Sequence, residues 1–439
     1  MTYYSHGKDA EELTLTIYND RFAVVKEKRK VELNGDETEV QYLNVAQKIE
    51  TDSIIVEGLN ILELNYDYDL VSKSKLMEKY LDRNVFLLDK VTNKRSEYRL
   101  LSVASGIVLE DVNTKEIVLD PKEELILPKL PGELIVKPAL VWKVRPSKSD
   151  QINVSYITKG MEWESNYVVE LKEKTFNVSG WVNIQNNAGT TFDNVKVKLI
   201  AGDVNRATDE NYVYKEAVLY EVDHSAPEPS FEEQSFADYH MYTLQHNTTL
   251  KNNQSKQINF IQGEEIPYQR YYTYSQYEDD VQIKLAFDNK QKNNLGLPLP
   301  RGKVKVYQAD SNDNSLEFIG EDRIDHTPKN ETLELYLGNA FDIVCEGDKV
   351  DSNKNARGIR TETWEYEVRN RKEEPALMKI THDLYDDIYK SDWKMKETSH
   401  DFKKETSHKI VFWVEVPADT VETITFTYEV DEAITVRHT

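Results

Sequence analysis

The chain reads as a mainly β protein: tandem β-sandwich domains of immunoglobulin-like type, a small inserted β-barrel-like unit and one short helix. Three observations predict this. Apolar and polar residues alternate through most of the chain, as at Leu13, Leu15 and Ile17 or Leu333, Leu335 and Leu337, the period of a strand with one buried face. Turn-forming residues recur at strand spacing. A helical period is clear in a single segment only.

The strands can be taken in order. Residues 13 to 66 alternate, and Asn34-Gly35 marks a turn between VEL and VQYL, because both residues tolerate positive φ. At Asp69 the period changes. Asp69 can cap a helix that aligns Leu70, Met77 and Leu81, with Leu76 and Tyr80 beside them. Five short strand patterns follow: VFLL, YRLLSVA, GIVLEDV, EIVLD and ELILP. Pro128, Pro131 and Pro138 close this inserted unit, and the first sheet resumes at Leu140 to Val144.

Residues 151 to 202 return to strands. Val195, Val197 and Leu199 alternate with Lys196 and Lys198, and Asn186-Asn187-Ala188-Gly189 is a turn. The pattern weakens from Asp203 to Ser255, where SAPEPS at Ser225 reads as a loop. It resumes at Gln257 to Ile261 and Val281 to Phe287. Beyond 296, about seven strands at sandwich spacing are expected. Trp364, Tyr366 and Val368 share a face, as do Ile410, Phe412, Val414 and Val416, while Trp413 takes the opposite face. The expected domains are 1–68 plus 130–147, an insertion at 69–129, a central domain at 148–288 with a loop at 203–255, and a C-terminal sandwich at 289–439. No long-period repeat is visible; a short one, KETSH, occurs at Lys396 and Lys404.

The totals narrow the function classes. With 55 basic and 78 acidic side chains the net charge is -23, which repels phosphate backbones and argues against nucleic acid. One cysteine, Cys345, rules out a disulfide within the chain and suits a reducing cytoplasm. The N-terminal stretch lacks the basic start and apolar run of a signal peptide, and no apolar run is long enough to insert in a membrane. G-x-S-x-G, G-x-x-x-x-G-K-[ST] and G-x-G-x-x-G are absent, so no cofactor is expected.

Several motifs in one order resemble a known family: Tyr156-Ile-Thr-x-Gly-Met-Glu-Trp163 with Tyr167, Gly180-Trp-Val-x-Ile-x-Asn186, Leu199-Ile-Ala-Gly202, Gly296-Leu-Pro-Leu-Pro-x-Gly302, Gly320-Glu-Asp322 and Asp325-His-Thr-Pro328. Together they are similar to the domain of unknown function 4139, which includes the mucoidy inhibitor A-like proteins. The resemblance spans roughly residues 13 to 430. It implies a mostly β fold and carries no activity with it. Many members have a helical, coiled-coil-like region near the N-terminus; here only the short helix at 69 to 82 stands in that place.

Four constellations are candidate sites. Asp310, Asn312 and Asn314 with Glu321 mimic the spacing of a calcium loop, although Ser315 replaces the usual glycine and the flanks are strands; the other reading is a polar hairpin loop. Glu321, Asp322, Asp325 and His326 could supply acid and base groups for hydrolysis, but on one strand Glu321 and Asp325 lie about 13 Å apart. Tyr268, Tyr271, Tyr272, Tyr274 and Tyr277 form a binding platform for a protein or sugar, or else half-core strand packing. His382, Asp383, Asp386, Asp387, His400 and His408 read as a solvated loop, since the two KETSH histidines are about 26 Å apart on a strand and zinc spacing is absent.

The leading expectation is a non-enzymatic interaction or scaffold protein that binds a protein partner or itself through sheet edges. Two other readings stay open: a glycan-directed hydrolase using Glu321, Asp325 and His326, and a calcium-stabilised binding module.

Overall fold

The computed structural model describes residues 1–67, 73–90, 92–104, 106–129, 138–202, 204–206, 231–236, 239–384 and 393–431. The expected loop at Ser225 and the residues Asp69, Leu70, Asp386 and Asp387 lie outside them. The chain is mainly β, with several sheets and, among the described residues, one α-helix. Among the described residues no helix is long and apolar enough to cross a membrane. Two compact units form: Met1–Trp163, Ile184–Val204 and Met241–Lys256 make the first, and Glu164–Asn183, Asn205–His240 and Gln257–Thr439 make the second.

In the first unit, strand Phe22–Asn34 pairs with Ala10–Tyr18 on one side and Lys148–Lys159 on the other. A four-stranded sheet runs Thr2–Ser5, Glu39–Leu43, Ala139–Arg145, Asn60–Asp67. The Asn34-Gly35 turn therefore joins strands of two sheets. Gly35 takes φ 97° there, and the Glu37 carboxylate accepts the Asn34 and Gly35 amides at 3.1 and 3.0 Å.

The two sheets face one another. Their core includes Leu15, Ile17, Val25, Tyr42, Leu140 and Trp142, all fully buried. Buried Arg29 crosses between them: it donates to the Ser5 carbonyl at 3.0 Å and to Glu27 at 2.9 Å, and it lies 3.5 Å over the Tyr42 ring.

Strands Asn60–Asp67 and Ala139–Arg145 are neighbours in the sheet, and residues 73–129, between them in the chain, build a sheet of their own. Its order is Ile117–Leu119, Val108–Asp111, Lys94–Ser102, Asn84–Asp89, Glu124–Ile126. Among the described residues the sheet does not close into the expected barrel: Ile117–Leu119 and Glu124–Ile126 are its two edges, and an open sheet of short strands can persist because helix Lys73–Lys79 supplies its cover. Met77 and Tyr80 pack on Val85, Leu87, Leu100 and Leu109. Leu81 follows the helix end and points outward.

The second unit holds a six-stranded sheet, Thr332–Asn339, Gln282–Asp288, Gln269–Ser275, Ala376–Asp383, Lys409–Val416, Phe402–Lys404, and a four-stranded one, Ile343–Lys354, Ile359–Asn370, Thr420–Asp431, Trp393–Thr398. One core joins them, including Met378, Ile380, Phe412, Tyr366 and Phe426. The expected boundary at 288/289 does not separate these strands: Gln269–Ser275 and Gln282–Asp288 belong to the C-terminal sandwich. Gly302–Ala309 and Leu316–Ile324 instead extend the sheet of Met161–Leu171. Strand pairing, not chain order, sets the division, and residues 148–288 are shared between the two units.

A repeat does exist at the level of structure. Asn186 and Asn370 are buried at the last position of a strand, and Asn289 is buried one residue past the end of its strand. Their side-chain oxygens accept the backbone N–H of Ala188, Gly296 and Lys372 at 3.1, 2.9 and 3.0 Å. Their side-chain nitrogens donate to a nearby turn carbonyl and to a returning segment: Thr190 and Leu250, Leu297 and Pro328, Glu374 and Val416. Each returning segment then passes through a residue in left-handed conformation, Asn253, Asn330 or Asp419, with φ 55°, 71° and 47°. A strand follows that pairs with the one carrying the asparagine.

The core positions agree too. Two residues before the asparagine stand Ile184, Phe287 and Val368; four before stand Val182, Leu285 and Tyr366, all buried. Among the described residues three copies of one strand–clasp–return unit are present. In each, a buried asparagine satisfies two or more backbone carbonyls, groups that are costly to bury without partners.

Candidate functional site

Strand Gln269–Ser275 is central in its sheet, hydrogen-bonded antiparallel to Gln282–Asp288 and parallel to Ala376–Asp383. Tyr272 and Tyr274 enter the sandwich core. The Tyr272 hydroxyl accepts from Lys372 Nζ at 2.9 Å, and the Tyr274 ring lies 6.0 Å from that of Tyr366. Tyr271 takes the opposite face and is also buried, its ring 5.2 Å from Trp413. Burial, with Glu334 nearby, raises the Tyr271 phenol above its ordinary range. Tyr268 donates to the Lys172 carbonyl at 2.9 Å. An open five-tyrosine platform is therefore not what forms: a strand covered on both faces uses its rings as packing. Tyr277, beyond the strand end, is 62% exposed.

The acidic stretch is spread along a hairpin. Asp310 Oδ1 accepts from the Asn312 N–H and side-chain amide at 2.7 and 2.9 Å, and Asn314 takes φ 60° in the turn. Glu321 lies well up the strand opposite Lys305, five residues past the Ala309–Leu316 pair, or about 17 Å along the chain. The calcium-like spacing is thus a hairpin turn plus a distant strand residue. Among the described residues no three His, Cys, Asp or Glu side chains gather around a common point for a metal ion.

The hydrolytic candidates have separate tasks. Glu321 is exposed, 3.9 Å from Lys303 Nζ. Asp322 accepts the amides of Arg323 and Tyr336, both at 2.7 Å. Asp325 is exposed. His326 Nδ1 accepts the Arg301 amide at 3.1 Å. With the Leu299–Thr327 bridge, His326 fastens the Gly-Leu-Pro-Leu-Pro segment from one side. From the other, Tyr167 donates to the Pro300 carbonyl at 2.7 Å and Ser165 to that of Arg301 at 2.7 Å. Gly302 passes so close to Ser165 that a Cβ would overlap its carbonyl. These motif residues thus have a packing role.

A buried polar site lies elsewhere, in the C-terminal sandwich. His382 is a strand residue, fully buried, and not the solvated loop residue expected. Its imidazole is ringed by Trp364, Phe426, Tyr366 and Tyr428 at centroid distances of 4.6, 5.0, 6.0 and 6.0 Å. Nδ1 is 2.8 Å from the Tyr366 hydroxyl, and Nε2 is buried without a hydrogen bond. Burial pushes the imidazole down to about 3, more than the Glu362 charge raises it. His382 is therefore neutral at physiological pH.

Beside it, Glu362 is buried, accepts hydrogen bonds from Lys349 Nζ at 2.9 Å, Trp364 Nε1 at 3.2 Å and the Tyr428 hydroxyl at 2.7 Å, and is ion-paired with Arg360 at 3.2 Å. Burial opposes its charge, but these donors hold the carboxyl below its ordinary range. Through these partners Glu362 ties three neighbouring strands together. It stands eight residues before Asn370, where the other two copies place Val178 and Val281. The inward alternation of Glu362, Trp364 and Tyr366 could have revealed it, since it puts a carboxylate on a core face.

His400 and His408 lie apart from this site. His400 is 3.3 Å from Glu422, and His408 contacts the hydroxyls of its own turn. Cys345 is buried, and burial pushes its thiol up to about 12, so it is not a thiolate at neutral pH. Comparison of the chain with models of known protein families gives no match, and comparison with curated proteins gives none.

Proposed function

We propose that this chain is a non-enzymatic interaction or scaffold protein whose β-sandwich modules join a protein partner, or further copies of the chain, through open sheet edges. The observation that supports it best is apolar exposure on edge strands. Ile117 and Leu119, 52% and 68% exposed, alternate on edge strand Ile117–Leu119. Leu316 and Phe318, about half exposed, do the same on edge strand Leu316–Ile324. Such edges offer unpaired backbone groups together with side chains for a partner's pockets. By contrast, strands Trp393–Thr398 and Phe402–Lys404 carry lysines, which discourage pairing.

Membership of the domain of unknown function 4139 family, supported by the ordered motifs between Tyr156 and Pro328, and a cytoplasmic setting, supported by a single buried cysteine, belong to the same reading. The test is the native mass of the full chain by light scattering, for the unaltered protein and for Ile117→Lys/Leu119→Lys and Leu316→Lys/Phe318→Lys. A mass above 51.1 kDa that falls in either variant is expected. Monomers throughout, together with no partner bound in a gentle lysate, would overturn the reading.

A further inference from the structure

Two turns meet at one end of the C-terminal sandwich. One, at residues 276–281, links strands Gln269–Ser275 and Gln282–Asp288; the other, at 340–342, links Thr332–Asn339 and Ile343–Lys354. Hydrogen bonds hold them together. Ala340 N donates to the Val281 carbonyl at 2.7 Å, and Asn339 Nδ2 to Asp280 at 2.8 Å. The Asp342 carbonyl accepts from Arg371 N at 2.8 Å. The Gln276 amide group donates to and accepts from the backbone of Asp383, at 2.9 and 2.8 Å.

On this braced end Phe341, in one turn, is 93% exposed, and Tyr277, in the other, is also exposed. Glu278, Asp279 and Asp280 follow Tyr277 in its turn, Asp342 follows Phe341 in the other, and neither turn contains a lysine or arginine. A phenylalanine this exposed contributes almost nothing to the fold. Held on a rigid turn, it loses little freedom when covered, as binding anchors do.

The chemistry selects the occupant. Aromatic faces attract cations, arginine above all, and carboxylates pair with guanidinium and ammonium groups. Nucleic acids and anionic membranes are repelled by the same acids. We propose that this end of the sandwich docks a basic segment of a partner protein, whose arginine or lysine side chains lie over Tyr277 and Phe341 and pair with Asp279, Asp280 and Asp342. It rests on reading the chain as an interaction protein, and names the surface and the chemistry that surface accepts.

The test titrates the full chain with a fluorescent decapeptide of alternating arginine and glycine, followed by anisotropy. Tyr277→Ser/Phe341→Ser keeps the net charge and is expected to weaken binding about tenfold with the melting temperature unchanged. Asp279→Asn/Asp280→Asn should weaken it at least as much, while Glu11→Gln/Glu12→Gln, which removes the same charge far along the chain, should leave it alone. Three results would overturn the proposal: no binding by the unaltered chain, equal binding by all variants (general attraction to an acidic protein), or Phe341-dependent binding to zwitterionic phosphatidylcholine vesicles in place of the peptide. The native mass of the same variants keeps the two readings apart, because assembly through sheet edges should survive Tyr277→Ser/Phe341→Ser.

Discussion

The Tyr366 hydroxyl and His382 Nδ1 lie 2.8 Å apart in the C-terminal sandwich, where neither side chain reaches solvent. This places a titratable group inside an aromatic core and makes its protonation a question of fold stability.

Because the His382 imidazole is held down to about 3 against an ordinary 6.5, the unfolded chain binds its proton first as pH falls. The contribution of neutral His382 is complete above about pH 6.5 and is lost progressively towards pH 3, by about 1.4 kcal/mol per pH unit for one proton. Replacing His382 with leucine should flatten the urea stability profile between pH 6.5 and 4. An unchanged slope would show that other groups set it.

Glu362 occupies a position that valine fills in the other two copies. In Glu362→Val the Tyr428 hydroxyl and Trp364 indole lose their acceptor, while Lys349 and Arg360, partly exposed, can turn to water. A loss of about 2 kcal/mol is expected in denaturant titration. A gain would mean that burying the charge costs more than its hydrogen bonds and ion pair return.

The asparagine clasps should be the most sensitive polar positions. Asn186→Ala, Asn289→Ala or Asn370→Ala removes one acceptor and two or more donations to carbonyls, with an expected cost of about 3 kcal/mol each. Asn→Asp should fare no better, since a carboxylate would face those carbonyls. Equilibrium unfolding of the six variants checks this.

Gly302 is a steric position. In Gly302→Ala the added carbon meets the Ser165 carbonyl, backbone against backbone, so the parallel pairing of Met161–Leu171 with Gly302–Ala309 must part. A cost above about 2 kcal/mol is expected, read as a lower denaturation midpoint.

For calcium, the hairpin at Asp310 already satisfies its carboxylate with Asn312. Calcium and EDTA should leave the melting temperature within about 1 °C of each other. A calcium-dependent rise would show that Asp310 and Asn312 exchange these bonds for an ion.

The sequence by itself determined most of the strands, because a side-chain period of two is local: Leu333, Leu335 and Leu337, or Val195, Val197 and Leu199, need no distant partner to be recognised. It also determined the strand–helix change before Asn84, and the turns at Gly35 and Gly189. Tertiary structure alone decided what those strands pair with. Gln269–Ser275 joined the C-terminal sandwich and Gly302–Ala309 joined Met161–Leu171 because sheet edges are completed by whichever strand the fold brings alongside. The threefold clasp is not legible in the sequence for a related reason. Its copies share a buried asparagine, a left-handed residue and an inward pattern, while their side chains range from Val178 to Glu362, so identity fades where geometry persists. His382 and Glu362 became a buried site only when three strands closed around them, since burial is a property of the neighbours a residue acquires and not of its place in the chain.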